Sequence, residues 1–365
     1  MSDNNLDKKK VKIAIVGCGF MGQVAHLHNY LYVKGCEVVA LAESRDLQRE
    51  LISKKHNISK TYRKHDEMLA DDQEIDAVVI VTQRDMTGPI AYDCLNAGKH
   101  VITEKPMAST HEQAKKLVAL ANEKELIYMV GYMRRYDLGV EKGKELFDEL
   151  CKKSELGKLT YIRIHCFDSN PYCNEDDYIQ TNEEVPKDLS RWPSAPDWIP
   201  ENLTSDYAFF LNVFCHSINF MRFITDGNPR KIGYTHLGNM HARIVSFEYD
   251  NFNVLLEAGR SLSRLRDEYC EIFFEKGVLK ISFPPNLLRN QPARVTLHRF
   301  DEKHAITEYI PDWSWAFRRQ AETFVRSIQN NGYENIASGT DSLEDMKTIE
   351  EIWRNELIRI DAEFN

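Results

Sequence analysis

Along the first third of the chain, short apolar runs alternate with amphipathic stretches. Val11–Val16 reads as a strand, followed by a glycine-rich turn and a helix-like stretch to about Tyr32. Glu37–Ala42 reads as a second strand, Asp46–His56 as a helix and Ala77–Thr82 as a third strand. That third run has no polar interruption, as suits a strand buried on both faces of a parallel sheet. Pro89–Ala97 reads as a helix ended by Gly98, a residue suited to the left-handed cap position. His100–Thr103, His111–Lys124 and Ile127–Gly131 continue as strand, helix and strand. The alternation predicts an α/β unit with a doubly wound parallel sheet.

After about Tyr136 the texture changes. One amphipathic helix, Gly139–Lys152, leads into alternating β-rich segments: Leu159–Phe167, Arg230–Leu237, Ala242–Tyr249, Phe252–Arg260, Tyr269–Phe274, Gly277–Ser282 and Arg294–Arg299. Alternation predicts a large, mostly antiparallel sheet covered on one face, in an α+β domain. Helix-like runs sit at Tyr207–Ile224, Ser314–Asn330 and Ser342–Arg359. The expected organisation is a disordered leader over 1–10, a nucleotide-binding domain over 11–136 and a second domain over 137–365. Residues Ser169–Pro200 are polar, aromatic and proline-containing with little periodicity, and such a long irregular segment is usually functional or mobile.

Composition narrows the function classes. With 365 residues, 42% hydrophobic and 28% charged, the chain has enough apolar material for two cores. A net charge of −9 argues against a nucleic-acid partner, because phosphate binding wants a basic face. No stretch approaches the roughly 20 apolar residues that cross a bilayer, and Met1–Lys10 lacks the apolar segment of a signal peptide. The eight cysteines are scattered, several within apolar runs, which fits reduced thiols and a cytoplasmic location better than a disulfide framework.

Gly17-Cys18-Gly19-Phe20-Met21-Gly22 matches G-x-G-x-x-G directly after a strand and before a helix. Gly17 permits the tight turn, Gly19 lets the backbone approach a pyrophosphate, and Gly22 lets helix pack on strand. The pyrophosphate then meets the free N–H groups at the helix start. The second strand ends at Glu43, where a carboxylate accepts hydrogen bonds from the ribose hydroxyls of NAD and repels a 2′-phosphate. Arg45 blurs the choice, since an arginine there accommodates that phosphate; NAD is favoured and NADP stays open. Phe20, Met21, Thr82, Glu104 and Lys105 complete the expected cofactor set.

Ala97-Gly98-Lys99-His100-Val101-Ile102-Thr103-Glu104-Lys105-Pro106 brings a strand of this unit to its carboxyl edge, where open α/β sheets bind ligands. Pro106 disfavours the α region at Lys105, so the chain leaves the strand extended. A lysine there can bond a substrate hydroxyl and stabilise charge as its proton leaves. Composition alone reads it as a solvated surface lysine. The glycine fingerprint, the Ala-Gly-Lys-His-Val…Glu-Lys-Pro stretch and Val130-Gly131-Tyr132…Arg135-Tyr136 together resemble the Gfo/Idh/MocA oxidoreductase family. The resemblance is strong over about Val11–Tyr136 and looser beyond. It implies an N-terminal Rossmann domain, a C-terminal sheet whose face covers the nicotinamide, a catalytic role for Lys105, and homo-oligomers formed through that sheet.

The family's second catalytic element is Asp-x-x-x-His on a helix, often with a further Asp three residues on. Here Asn212, His216 and Asn219 stand at spacings of four and three, on one helical face. His216 matches the family histidine and suits a general base, with a reference pKa of about 6.5. Asn212 and Asn219 depart from the family aspartates; an amide orients a partner but carries no proton. Arg135 matches a family position, with a domain-linking or a substrate role. In the irregular segment, Tyr178, Arg191 and Trp192, with Asp168 just before it, suit sugar binding, or else serve as aromatic anchors of a surface loop. Asp206 and Tyr207 lie just before the histidine, and Trp313 and Trp315 read as packing a helix start. No metal is expected, because His26 and His28 diverge on a helix and the cysteines show no ligand spacing.

The expected function is hydride transfer between a ring CH–OH carbon of a sugar or glycoside, C3 favoured, and nicotinamide. A glycosidase working through transient C3 oxidation is the alternative, and a non-catalytic nucleotide sensor a third.

Overall fold

A computed structural model of the chain describes residues 9–71, 74–168, 177–238, 242–261, 267–332 and 337–364. These residues form two compact units. The first runs to Tyr132 and takes in two later segments, one ending at Trp198 and one spanning Phe317–Leu343; the second holds the remainder from Met133. The single cut expected after Tyr136 therefore does not describe the chain, because later segments return to the nucleotide unit.

In the first unit, β1 (Val11–Val16), β2 (Cys36–Ala42), β3 (Lys60–Tyr62), β4 (Ala77–Ile80), β5 (His100–Thr103) and β6 (Tyr128–Val130) make a parallel sheet in the order β3-β2-β1-β4-β5-β6. This is the Rossmann order, with its switch point between β1 and β4. β4 is buried at all four positions, as its unbroken apolar run requires. The helices are α1 (His28–Tyr30), α2 (Asp46–His56), α3 (His65–Asp71), α4 (Arg84–Asn96) and α5 (His111–Glu123).

Three local expectations change. The first helix is a π-helical turn, Gly22–Leu27, running into the short α1. α4 begins five residues before Pro89, which sits inside it rather than at its start. β3 and α3 carried no pattern that marked them, β3 being three residues with no buried position. Gly98 does cap α4 in the left-handed conformation, with φ +75°.

The late segments join this unit by hydrogen bonds that no local pattern announces. Val130 N–H donates to the Ala337 carbonyl at 2.9 Å, lengthening the sheet at β6. Arg318 donates to the carbonyls of Asn29 and Tyr32 at 3.1 and 2.5 Å.

The second unit contains α6 (Leu138–Lys153), β7 (Leu159–Asp168), α7 (Thr204–Thr225) and strands β8 (Lys231–His236), β9 (Arg243–Glu248), β10 (Asn253–Arg260), β11 (Asp267–Phe274), β12 (Gly277–Ser282), β13 (Arg294–Arg299) and β14 (Ile306–Tyr309). Helices α8 (Ala316–Gln329) and α9 (Gly339–Phe364) close the chain, and the unit boundaries fall at the start of α8 and within α9. The sheet order is β14-β13-β12-β11-β7-β10-β9-β8, antiparallel throughout except for the β10–β7 pair. Cys270, Ile272, Phe274, Leu279 and Ile281 alternate onto the buried face, as the sequence pattern requires. β14 escaped the pattern because it is an edge strand with no buried position. Trp315 is buried, with its indole N–H on the Asn286 carbonyl at 3.1 Å, whereas Trp313 is 86% exposed and packs nothing.

Candidate functional site

The turn after β1 is built by backbone proximity. Gly17 has φ +86°, and a Cβ there would lie 2.3 Å from the Val81 carbonyl oxygen. A Cβ on Gly22 would lie 2.5 Å from the Gly17 carbonyl oxygen, whereas one on Gly19 would meet nothing closer than the Arg45 guanidinium at 3.8 Å. Two glycines are thus required by the protein's own packing, and the third leaves an open backbone surface, the arrangement a pyrophosphate needs. Beside it lies a cavity of about 340 Å³ lined by Gly17, Gly19, Phe20, Met21, Gly22, Glu43, Arg45 and Thr82, with Val185 and Leu189 of the irregular segment. The residues present fit a dinucleotide.

Glu43 is buried and hydrogen-bonded within the turn. Its carboxylate accepts the Cys18 N–H at 2.8 Å, and from Arg45 the backbone N–H at 3.1 Å and the guanidinium at 2.9 and 3.0 Å. Arg45, which by sequence left NADP open, is therefore committed to Glu43. Burial, and then Glu43, push the Cys18 thiol far up, so it is no nucleophile at neutral pH.

At the end of β5, Lys105 is half-buried and follows Glu104, and the Lys105–Pro106 peptide is cis. Glu104 is turned onto its own unit: it accepts from His26 Nε2 at 2.7 Å and from the Lys105 N–H at 3.1 Å. Burial raises its carboxyl, but the His26 hydrogen bond, with the charges of His26 and Lys105, outweighs that and holds it below its ordinary value. His26 is a residue the sequence reading considered only as a metal ligand. Its signal was faint: one polar ring on the apolar π-helical turn that follows the glycines.

In the second unit, His216 is buried in α7, and Asn212 lies half-buried one turn earlier. Asn219 and Arg135, expected at the substrate, have other partners here. Asn219 accepts from Arg135 Nε at 2.8 Å and donates to Asp345 at 2.7 Å, and Asp345 also accepts from Arg222 at 2.7 Å. Burial pushes Asp345 up, to about 6, against the pull of Arg222 and Arg135. A folded-state pKa raised this way means the folded chain holds the proton more tightly than the unfolded one. The stability Asp345 contributes is therefore fully present below its ordinary value of 3.8 and is lost as pH rises to about 6. Asp206 pairs with the buried Arg243 at 3.2 Å, and Tyr207 packs on Trp353.

Tyr178, Arg191 and Trp192 all lie against the nucleotide unit. Tyr178 meets Phe20 edge-on, Arg191 pairs with Asp85 at 2.6 Å, and Trp192 covers Gly88, where a Cβ would come within 2.4 Å of its ring. The anchoring reading of these aromatics is the one their contacts support. Asp168 ends β7, and its side chain lies outside the described residues. No group of three or more His, Cys, Asp or Glu residues suited to a metal occurs among the described residues.

Comparison with known proteins agrees with this geometry. Residues 11–132 match the model of the Gfo/Idh/MocA oxidoreductase family, described as an NAD-binding Rossmann fold. Over that stretch the chain matches the model of this family, and the cofactor class of the fold is NAD(P). It is 35% identical over 141 residues to an inositol 2-dehydrogenase/D-chiro-inositol 3-dehydrogenase of Lacticaseibacillus casei, covering 38% of this chain and 40% of that protein. The chain thus spans under half the length of that curated relative. Among solved structures, it is similar to an aldose-aldose oxidoreductase from Caulobacter crescentus (TM-score 0.73, 16% identity, 95% and 98% of the two chains). It is also similar to a variant of a 3-ketoreductase from Actinomadura kijaniata in complex with TDP-benzene and NADP (TM-score 0.73, 15% identity, 95% and 98%). These structural likenesses speak to the fold.

Two outcomes follow. Gly17→Ala forces a side chain onto Val81 at a positive φ, and is expected to weaken NADH binding, read by nicotinamide fluorescence, by at least about tenfold. Asn219→Ala removes one hydrogen-bond partner from Arg135 and one from Asp345 in a buried setting and should lower stability by about 2 kcal/mol in denaturant unfolding. An unchanged midpoint would remove Asn219 from the structural network.

Proposed function

We propose that the protein is an NAD-dependent dehydrogenase acting on a CH–OH carbon of a cyclic polyol, sugar or glycoside, with C3 of a glucosyl ring favoured. The observation that carries this reading is the cavity at the glycine turn, with Glu43 at its β2 end and a Glu-Lys-Pro exit two strands from the turn. Gly17, Gly19 and Gly22 would hold the pyrophosphate, and Glu43 would face the adenosine ribose. When bound, NAD supplies the hydride acceptor at its nicotinamide.

The remaining chemistry belongs to the chain. Lys105 donates a hydrogen bond to the substrate oxygen and stabilises the charge that grows as its proton leaves. His26 holds Glu104, and Glu104 in turn receives the Lys105 N–H, which fixes the backbone from which the lysine extends. His216 takes the proton, a role supported by its match to the family histidine, and Asn212 orients a hydroxyl without taking a proton itself. The relative from Lacticaseibacillus casei, named for inositol oxidation, supports a cyclic polyhydroxyl substrate.

No helix among the described residues is long and apolar enough to cross a membrane, and the seven described cysteines form no disulfide. Both support a cytoplasmic enzyme. The outer face of the eight-stranded sheet carries half-exposed aromatic and charged rows, among them Arg163–Glu257 at 2.8 Å and Lys280 over the Tyr269 ring at 4.0 Å. This face is proposed as the contact between copies, and sedimentation should return a mass above that of one chain.

The decisive assay incubates the purified protein with NAD and a panel of polyols, sugars and glycosides, following cofactor absorbance and product mass together. NADH formation with an oxidised product is expected, whereas free aglycone without net NADH would replace dehydrogenation by oxidation-assisted elimination. Lys105→Ala should bind NADH as the wild type does and lose turnover by about a hundredfold or more. Undiminished turnover would sink the assignment.

A further inference from the structure

Every basic side chain that lines the dinucleotide cavity already faces a carboxylate. The four are Arg45, Arg63, Lys64 and His65. Arg45 is held by Glu43 at 2.9 Å and His65 by Asp93 at 2.8 Å. Arg63 and Lys64 both meet Asp188, at 3.2 Å each. The N-terminus of α2, next along the chain from Arg45, is taken as well: Leu47 and Gln48 donate their N–H groups to Glu183 at 3.0 and 2.9 Å. Glu183 and Asp188 both come from the irregular segment, whose Val185 and Leu189 wall the same cavity.

From Asp177 to Pro193 that segment is fastened to the unit. Gln23 and Ile179 exchange two hydrogen bonds of 2.8 Å, and Lys55 holds Asp177 at 2.6 Å. Further on, the Trp192 N–H reaches the Asp85 carbonyl at 2.8 Å, and Gln113 donates to the Pro193 carbonyl at 2.9 Å. It is a strap, 177–193, laid across the nucleotide unit.

We propose that this strap determines the choice of cofactor: Glu183 and Asp188 occupy the helix terminus and the cations that would otherwise receive a 2′-phosphate, so the site takes NAD and rejects NADP. The inference rests on the dinucleotide site of the proposed function and assigns its selectivity to residues outside the Rossmann fingerprint. A ribose diol needs only an acceptor, which Glu43 supplies. A 2′-phosphate needs unpaired donors, and would instead bring its charge beside Glu43, Glu183 and Asp188. Asp188 stays charged throughout, since its bonds to Arg63 and Lys64 pull it down to about 2, and the α2 N–H groups likewise lower Glu183. Because these pairs are solvent-accessible, each contributes modestly, and the effect should be read from both together.

The test titrates NADH and NADPH separately, by nicotinamide fluorescence, into wild type, Glu183→Gln, Asp188→Asn and the double variant. Both substitutions keep the shape and one acceptor, and a thermal melt of each variant verifies folding. Wild type should prefer NADH, and the double variant should gain about tenfold in NADPH affinity while NADH changes by less than about twofold. If the double variant melts early, Asp188→Asn alone is the reading, with a smaller gain in the same direction. A folded variant with an unchanged NADPH-to-NADH ratio overturns the strap's role and leaves the NAD site standing. A wild type that binds neither cofactor, or prefers NADPH, overturns both.

Discussion

Gly17 lets the turn after β1 fold back against the Val81 carbonyl, and the next N–H, that of Cys18, reaches the Glu43 carboxylate at 2.8 Å. This contact ties three strands of the parallel sheet together at its switch point: β1 supplies the turn, β2 supplies Glu43 and the end of β4 supplies the wall. A side chain at Gly17 or Gly22 would separate them. The open backbone at Gly19 and the cavity beside it exist because the two flanking glycines allow that approach.

Ionic pairs serve different purposes in the two units. In the second, Arg135, Asn219, Asp345 and Arg222 form a buried hydrogen-bonded network, and burial holds Asp345 well above the ordinary aspartate range. Such a network contributes mainly when intact, since removing one member leaves another desolvated and unpaired. Around the cavity of the first unit the pairs are more exposed and individually weaker. What they change there is the availability of donors to a ligand, and Glu43 shows it directly by accepting from both Cys18 and Arg45.

Most of the fold was legible from periodicity. His100–Thr103, Gly277–Ser282 and Arg294–Arg299 stand as the pattern bounds them, and α2 matches at both ends. Elements without a buried face, such as β14, left no pattern to read. Pro89 marked a helix correctly but misplaced its start, since a proline within a helix and one at its first turn look alike in sequence. The glycine fingerprint, Glu43 and Lys105 were legible because their chemistry depends on neighbours close along the chain. His26 was not, because its partner Glu104 lies 78 residues away.

The sequence by itself determined the Rossmann unit, the antiparallel character of the second sheet and the candidates for cofactor binding and catalysis. Each is written in local spacing: three glycines before a helix, alternation along a strand, a lysine at a strand exit. Only the tertiary structure decided which carboxylate each cation meets. Asn219 and Arg135 meet in a buried network, and Tyr178 and Trp192 pack on the nucleotide unit. The contacts responsible span 126 residues between Asn219 and Asp345, and 135 between Gln48 and Glu183. Over such separations a hydrogen bond is chosen by the packing of whole elements, and no local pattern carries it.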